Sequence, residues 1–477
     1  MSPICAPENF DAVEYINDPS WHSSVYGLER IRDLLERMGR PQDRLHFVHV
    51  AGTNGKGSTC AYVNSILIEA GYRTGLFTSP YLIRFEERIR VSGQTISPAD
   101  LREVALFVRE HAEAIAAETG EHPTEFELMT AVALEHFARS GCDIAVLEVG
   151  LGGLLDSTNA IDAPEVCAIT RIGLDHTALL GTTHGEIARQ KAGIIKPGAT
   201  VISYPQDAEE ATDAIADAAR QAGCRLVTPD FDALRVGGVS GGVRAFRYAG
   251  EDFTTRLLGT YQPCNAALAI EIARALRERG WNISDDAIRN GVAHAVWEGR
   301  FEVVEAGCDD LATAAGGPSA SAATGEAVVM GVFGDDAAAD HQPTIVVDGG
   351  HNPQGAAVLA DSLSSLFPGD KILFVMSVLA DKDYAAMIDC VLPLAGGFVC
   401  VTPPNPRALS ADELARAIET AAESVNVDLP WGVRRADGFM QAIRLARAVE
   451  GANAICAFGS LYSIADIKEA IANTAMA

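Results

Sequence analysis

Short, continuously apolar runs alternate along the chain with longer segments whose apolar residues recur at helical spacing. Runs of four to eight such residues read as buried strands, so the pattern predicts an α/β fold with a mainly parallel sheet. LHFVHVAG (45–52) is a strand ending in a glycine loop, and the helix STCAYVNSILIEAG follows it. CDIAVLEVG (142–150) and EVCAITRIG (165–173) are two further strands, and LMTAVALEHFARSG has helical spacing with a glycine stop. A second strand–helix series starts at TIVVDGGHNPQGAAVLADSL and continues through KILFVMSVLADKD, GGFVCVTPPNPRALS and NAICAFGSLYSIADIK. In each, a strand precedes a polar loop, the place where doubly wound sheets bind ligands.

Between the two series lies CDDLATAAGGPSASAATG, from Cys308 to Gly325, within a stretch to Gln342 that has no Lys or Arg. It reads as a flexible insertion at 308–342, with AVVMGVF as a hairpin. The boundary is placed near Trp297–Glu305, giving domains 1–300 and 301–477. A chain of 477 residues exceeds one ordinary core, which agrees with two domains.

The formal net charge of −27 argues against nucleic acid as a partner and requires a local positive site for any anionic substrate. Ten cysteines are scattered without a CxxC pair, as suits reduced thiols rather than disulfides or zinc. The first residues, MSPICAPENFDAVEYIND, lack a basic and then apolar leader pattern, and no apolar run reaches a membrane span. A cytoplasmic protein without a membrane partner is expected.

The loop GTNGKGS is an unusual phosphate-binding sequence, with Gly57 between Lys56 and Ser58. Gly52, Gly55 and Gly57 would turn backbone N–H groups toward an anion at the helix start, Lys56 would reach the β/γ-phosphates, and Ser58 would ligate Mg²⁺, with Asn54 completing the ATP-binding loop. The bland alternative is a strand–helix turn with incidental glycines. Glu148, at the end of a buried strand, is the carboxylate candidate for the ion, or else a strand-end salt bridge. His176 in GLDHTALLG is a metal-ligand candidate or a structural histidine. Lys191 in QKAGIIKPG either snorkels or, with a pKa depressed by burial, is modified or binds phosphate.

Taken in order, HVAGTNGKGST, LFTSPYLIRFEERIRVSG, EVGLGGLLDSTN, GLDHTALLG, QKAGIIKPG, GRFEVV and DGGHNPQG closely resemble the bacterial folylpolyglutamate synthase/dihydrofolate synthase family of the Mur ligase superfamily. The resemblance spans the chain except the 308–342 insertion. It implies a P-loop-type ATPase domain, a smaller Rossmann-like domain and an active site in the cleft between them. It also implies ATP-dependent addition of L-glutamate to dihydropteroate or to the glutamyl tail of reduced folates, through an acyl phosphate.

By the same resemblance, Ser58, Ser79 and Glu148 look like ligands of a first Mg²⁺. His176 and a carbamylated Lys191 look like ligands of a second, and a monovalent cation is a further candidate ion. Asn265, Arg300 and Asp348 look like ATP contacts with His351 as their neighbour; Lys56, His176 and Lys191 form the catalytic group. The pterin side falls on Gly27, Leu28, Glu29, Arg30, Thr124, Glu125, Phe126, Glu127, Leu155, Asp156 and Ser157. A monomer is expected.

Three positions depart from the family pattern. Leu154 stands where an arginine is usual, Tyr261-Gln262 where His-Gln is common, and DGGHN where DGAHN is commoner. The competing readings are a Mur-type ligase with another acid and amine, and a nucleotide-binding regulatory protein without ligase activity.

Overall fold

The structure is a computed structural model that describes residues 10–21, 27–305 and 342–475. The expected insertion, with its AVVMGVF hairpin, lies outside these residues except for Gln342. The chain divides into two compact units: Met1–Arg235, Phe246–Thr255 and Gln262–Trp297 form one, and Val236–Ala245, Arg256–Tyr261 and Glu298–Ala477 the other.

The first unit is built on an eight-stranded sheet of β1 (His46–Ala51), β2 (Thr74–Phe77), β3 (Ile89–Val91), β4 (Gln94–Thr95), β5 (Ile144–Glu148), β6 (Val166–Ile169), β7 (Thr200–Ser203) and β8 (Arg225–Val227), in the order β4-β3-β2-β5-β1-β6-β7-β8. From β2 to β8 the pairs are parallel, and β3 and β4 add an antiparallel edge. β5 and β6 are buried along their whole length and β1 from Phe47 onward, because both sheet faces are covered; this is why they read as unbroken apolar runs rather than alternating ones.

The Lys56–Glu69 helix is buried on nearly every side from Ser58 to Leu67, so it is a core helix rather than an amphipathic surface one. The Glu125–Arg139 helix starts from a capping box in which Thr124 and Glu127 satisfy each other's backbone N–H groups. Three further strands, β9 (Arg235–Ser240), β10 (Val243–Tyr248) and β11 (Glu251–Thr255), form a small sheet of order β11-β10-β9.

The second unit carries β12 (Glu302–Glu305), β13 (Thr344–Asp348), β14 (Ile372–Met376), β15 (Ala395–Val401), β16 (Gly432–Ala436) and β17 (Ala454–Phe458), in the order β12-β13-β17-β14-β15-β16. All pairs but β12–β13 are parallel. Phe374 stacks on Phe398 at 5.4 Å between centroids and meets Phe458 edge-on at 5.6 Å, which anchors the centre of that core. The Pro353–Leu366 helix follows the loop after β13, its first turn capped by Asn352. Among the described residues no helix is long and apolar enough to cross a membrane.

Candidate active site

β1 runs buried to Ala51 and hands the chain to the glycine loop at the carboxyl edge of the sheet. Gly55 adopts φ +90°, a left-handed conformation that favours glycine, directly before the Lys56–Glu69 helix. Gly57 is required for a different reason: a Cβ there would lie 2.7 Å from the indole of Trp297. The glycine that separates Lys56 from Ser58 therefore admits a tryptophan against the backbone.

Among the described residues no side chain caps this helix, so its first-turn N–H groups and positive dipole end suit an anion. Lys56 Nζ donates to the Thr53 carbonyl at 3.2 Å. The N–H groups of Thr53 and Asn54 both donate to the Arg171 carbonyl, at 3.0 and 3.2 Å, which pins the loop beside the end of β6. Asn54 thus contributes its backbone N–H to the protein itself.

Ser58 is buried, and its Oγ accepts from Gln262 Nε2 at 3.2 Å; Gln262 Oε1 in turn accepts from Asn265 Nδ2 at 3.1 Å. Glu148 closes β5 opposite Val50 of β1 and is buried, with Oε2 accepting the Ser79 N–H at 3.1 Å. Burial, and after it the Glu148 carboxylate, raises the pKa of Cys60 on this helix while Lys56 opposes the rise, so both charges lie within electrostatic reach of its first turns.

This donor set fits Mg²⁺. It offers a hydroxyl oxygen from Ser58 and carboxylate oxygens from Glu148, the hard donors that this ion prefers. An ion held here would complete its shell with water and nucleotide oxygens.

Lys191, on the His184–Ala192 helix, is buried, and its Nζ donates to the Gly52 carbonyl at 2.8 Å. Burial, reinforced by Lys56 and opposed by Asp175 and Asp156, lowers its pKa to about 7. The structure therefore brings Lys191 to the phosphate loop, with an amine about half neutral near pH 7. His176 takes a left-handed φ of +50° ahead of the short Thr177–Leu180 helix and is exposed, its backbone N–H bonded to Asp175 Oδ1 at 2.9 Å.

The loop after β5 folds back against the end of the Lys191 helix. A Cβ at Gly153 would lie 2.8 Å from the Lys191 carbonyl oxygen, and Leu154 N–H donates to the Gln190 carbonyl at 2.8 Å. Asn159 donates to the carbonyls of Leu154 and Gly193, at 3.0 and 3.1 Å, and Lys196 holds the Asn159 carbonyl at 2.9 Å. Leu154 and Leu155 expose 44% and 47% of their surface, so the leucine at the family's arginine position is not a core residue.

Asp156 is buried, its pKa raised by burial against hydrogen bonds that include the Leu151 N–H at 2.8 Å; it caps the turn that Ser157 begins. Phe126 packs on Gly150, where a Cβ would sit 2.5 Å from its ring, so the Thr124–Glu127 group adjoins the same loop. Arg30 bonds Glu127 at 2.7 Å and Glu121 at 3.3 Å beside the Leu28 and Glu29 helix start. Gly27 faces the Glu29 carboxylate, and Glu125 is half-buried in the first turn of its helix.

Arg300, Asp348 and His351 belong to the second unit. Asp348 is buried; its Oδ2 accepts from Phe301 N–H at 2.7 Å and Tyr261 Oη at 3.3 Å, and its Oδ1 from Gly350 N–H at 2.6 Å. Burial raises its pKa, and the Arg300 guanidinium opposes the rise. Arg300 Nη1 donates to the Gly299 carbonyl at 3.2 Å, and His351 Nδ1 lies 2.9 Å from the Gly349 oxygen.

Sequence reasoning missed Trp297 and the contacts of Gln262. The first stands beside a quoted motif, but only its contact with Gly57 identifies it. The second was visible merely as the glutamine kept in a pair whose first member, Tyr261, departs from His-Gln.

Residues 50–273 match the Mur ligase middle domain, and residues 330–461 the glutamate ligase domain of Mur ligases. The dihydrofolate synthase/folylpolyglutamate synthase of Bacillus subtilis is 35% identical over 452 residues, covering 93% of this chain and 94% of the relative. The folylpolyglutamate synthase of Lacticaseibacillus casei is 33% identical over 415 residues, covering 84% and 86%. Among solved structures, E. coli FolC in complex with DHPP and ADP superposes with a TM-score of 0.76 at 29% identity, over 97% of each chain.

Proposed function

Because the chain belongs to the dihydrofolate synthase/folylpolyglutamate synthase family and is an ATP-dependent ligase, we propose that it couples L-glutamate to both dihydropteroate and reduced folates. The observation that carries this is the grouping of Lys56, Ser58, Glu148 and Lys191 around one uncapped helix start. That grouping is built for a polyphosphate and a carboxylate acceptor rather than for a regulatory fold alone. We place the ATP-binding domain at 1–300 and the glutamate-ligase domain at 301–477.

In this reading the β- and γ-phosphates lie against the first-turn N–H groups, and Lys56 turns from the Thr53 carbonyl to the γ-phosphate. The substrate carboxylate attacks the γ-phosphorus and ADP leaves, giving an acyl phosphate. The glutamate amine then attacks the acyl carbon, phosphate leaves, and the ammonium formed loses a proton. When bound, Mg²⁺ supplies charge neutralisation at the phosphate oxygens.

Ser58, Ser79 and Glu148 would hold the first ion, and His176 with a carbamylated Lys191 the second; a monovalent cation would be an additional ion. Asn265, Arg300, Asp348 and His351 would contact ATP. Arg30, Thr124–Glu127 and Leu155–Ser157 would shape the pterin side, with Gly27–Glu29 at its margin. The working form is a monomer in the cytoplasm.

The test is phosphate release from ATP–Mg²⁺ and L-glutamate, with dihydropteroate or tetrahydrofolate as the acid. Turnover with both supports the two-activity reading, and turnover with one names the activity retained. Silence with both acids, in a protein that still binds ATP, would sink the ligase assignment.

A further inference from the structure

Among the described residues, the largest fully buried side chain is an arginine. Arg244, on β10, exposes 1% of its surface, yet among the described residues no carboxylate lies within ion-pair distance of it. An interior guanidinium without a counter-charge is costly, and every acceptor it does have therefore matters. Nε donates to the Leu258 carbonyl at 2.6 Å, Nη1 to the Gly237 carbonyl at 2.8 Å and Nη2 to Ser365 Oγ at 3.5 Å.

The first of these bonds holds the short segment Arg256–Tyr261, which belongs to the second unit, while the other two tie the guanidinium to Gly237 and Ser365. Two residues beyond Leu258, Thr260 is fixed again. Its N–H and its Oγ1 lie 3.0 and 3.1 Å from Ser362 Oγ, whose own proton goes to the Val358 carbonyl at 2.7 Å. Gly259 lets the chain fold tightly here, since a Cβ would stand 2.6 Å from the Tyr261 ring. The outcome is a Tyr261 hydroxyl delivered to Asp348 Oδ2 at 3.3 Å, beside the Phe301 N–H.

We propose that Arg244 is a positioning residue for the nucleotide: it pins the Leu258 carbonyl so that Tyr261 reaches Asp348 and sets that carboxylate for ATP. A planar five-donor fork suits this task, because it binds divergent acceptors at once and stays charged at any working pH. The proposal rests on Asp348 being an ATP contact.

The experiment is a double-mutant cycle on KM for ATP, with Arg244→Met, Tyr261→Phe and the pair. Each single change is expected to raise the ATP KM about fivefold, as one lost hydrogen bond does, with kcat and the KM for glutamate within about twofold. The pair should be no worse than the worse single variant, and Arg244→Lys should recover part of the loss.

Multiplying effects, or a normal ATP KM in Arg244→Met while Tyr261→Phe is impaired, would overturn the coupling. An equal rise in every KM would make Arg244 merely structural. If Asp348→Asn leaves the ATP KM unchanged, the nucleotide assignment itself fails, and this inference with it. Should Arg244→Met not fold, Ser362→Ala loosens the same segment at Thr260; it must shift the same constant, and an unchanged ATP KM there overturns the proposal.

Discussion

The Nζ of Lys191 donates to the carbonyl oxygen of Gly52 at 2.8 Å, across 139 positions of sequence. A buried amine is thereby tied to the phosphate loop, and its pKa falls from 10.5 to about 7. In the unfolded chain the same amine binds its proton up to about pH 10.5. Between those values the unfolded state holds the extra proton, so this group's contribution to stability rises with pH across the window.

Below about pH 7 the native state carries the full cost of a buried ammonium, on the order of a few kcal/mol. Lys191→Met should therefore melt several degrees above the parent at pH 6 in bicarbonate-free buffer, with the gap closing by pH 10. Calorimetry across that range decides it, and a gap independent of pH would reject the burial argument.

The same amine is proposed to carry a carbamate during turnover, which needs its neutral form to meet CO₂. Lys191→Ala should lose at least about 100-fold in kcat, and short carboxylic acids should return part of it. An unmodified lysine in a crystal structure of active enzyme would remove the carbamate.

Gly57 faces the indole of Trp297 with no room for a methyl group. Gly57→Ala should raise the ATP KM by about tenfold or more, because either the ring or the first helical turn must shift. Adding Trp297→Ala should relieve the clash and recover much of the affinity. If the double variant is as poor as the single one, the packing account is wrong.

Lys56→Ala and Glu148→Gln should each abolish ADP formation, a loss of about 100-fold or more, while circular dichroism stays that of a folded protein. Normal turnover in either would break the phosphate and metal assignment.

Leu154 is exposed and its backbone is held at both ends, by the Gln190 carbonyl and by Asn159. Leu154→Arg should change stability by no more than about 0.5 kcal/mol. On a chain of net charge −27 it should raise kcat/KM for the anionic acid substrate. A fall would show a pocket adapted to leucine.

Much of the first unit was legible because its information is local. Unbroken apolar runs marked β1, β5 and β6, since strands covered on both faces need no alternation. LMTAVALEHFARSG marked the body of a helix by its spacing, and the structure adds its start at the Thr124–Glu127 capping box. The order Lys56, Ser58, Glu148, Lys191 was readable as phosphate and carboxylate chemistry because side-chain type limits what each group can do.

Other features had no signature in the chain. That Trp297 lies on Gly57, that Gln262 serves Ser58, and that Arg244 is buried with no carboxylate in ion-pair reach among the described residues depend on residues far apart in sequence meeting in space. No periodicity records such meetings. Lys191 shows the division most clearly: the sequence alone names a lysine able to lose its proton, and only the packing around it decides that it does so near pH 7. A pKa belongs to an environment, and for a buried group tertiary structure makes that environment.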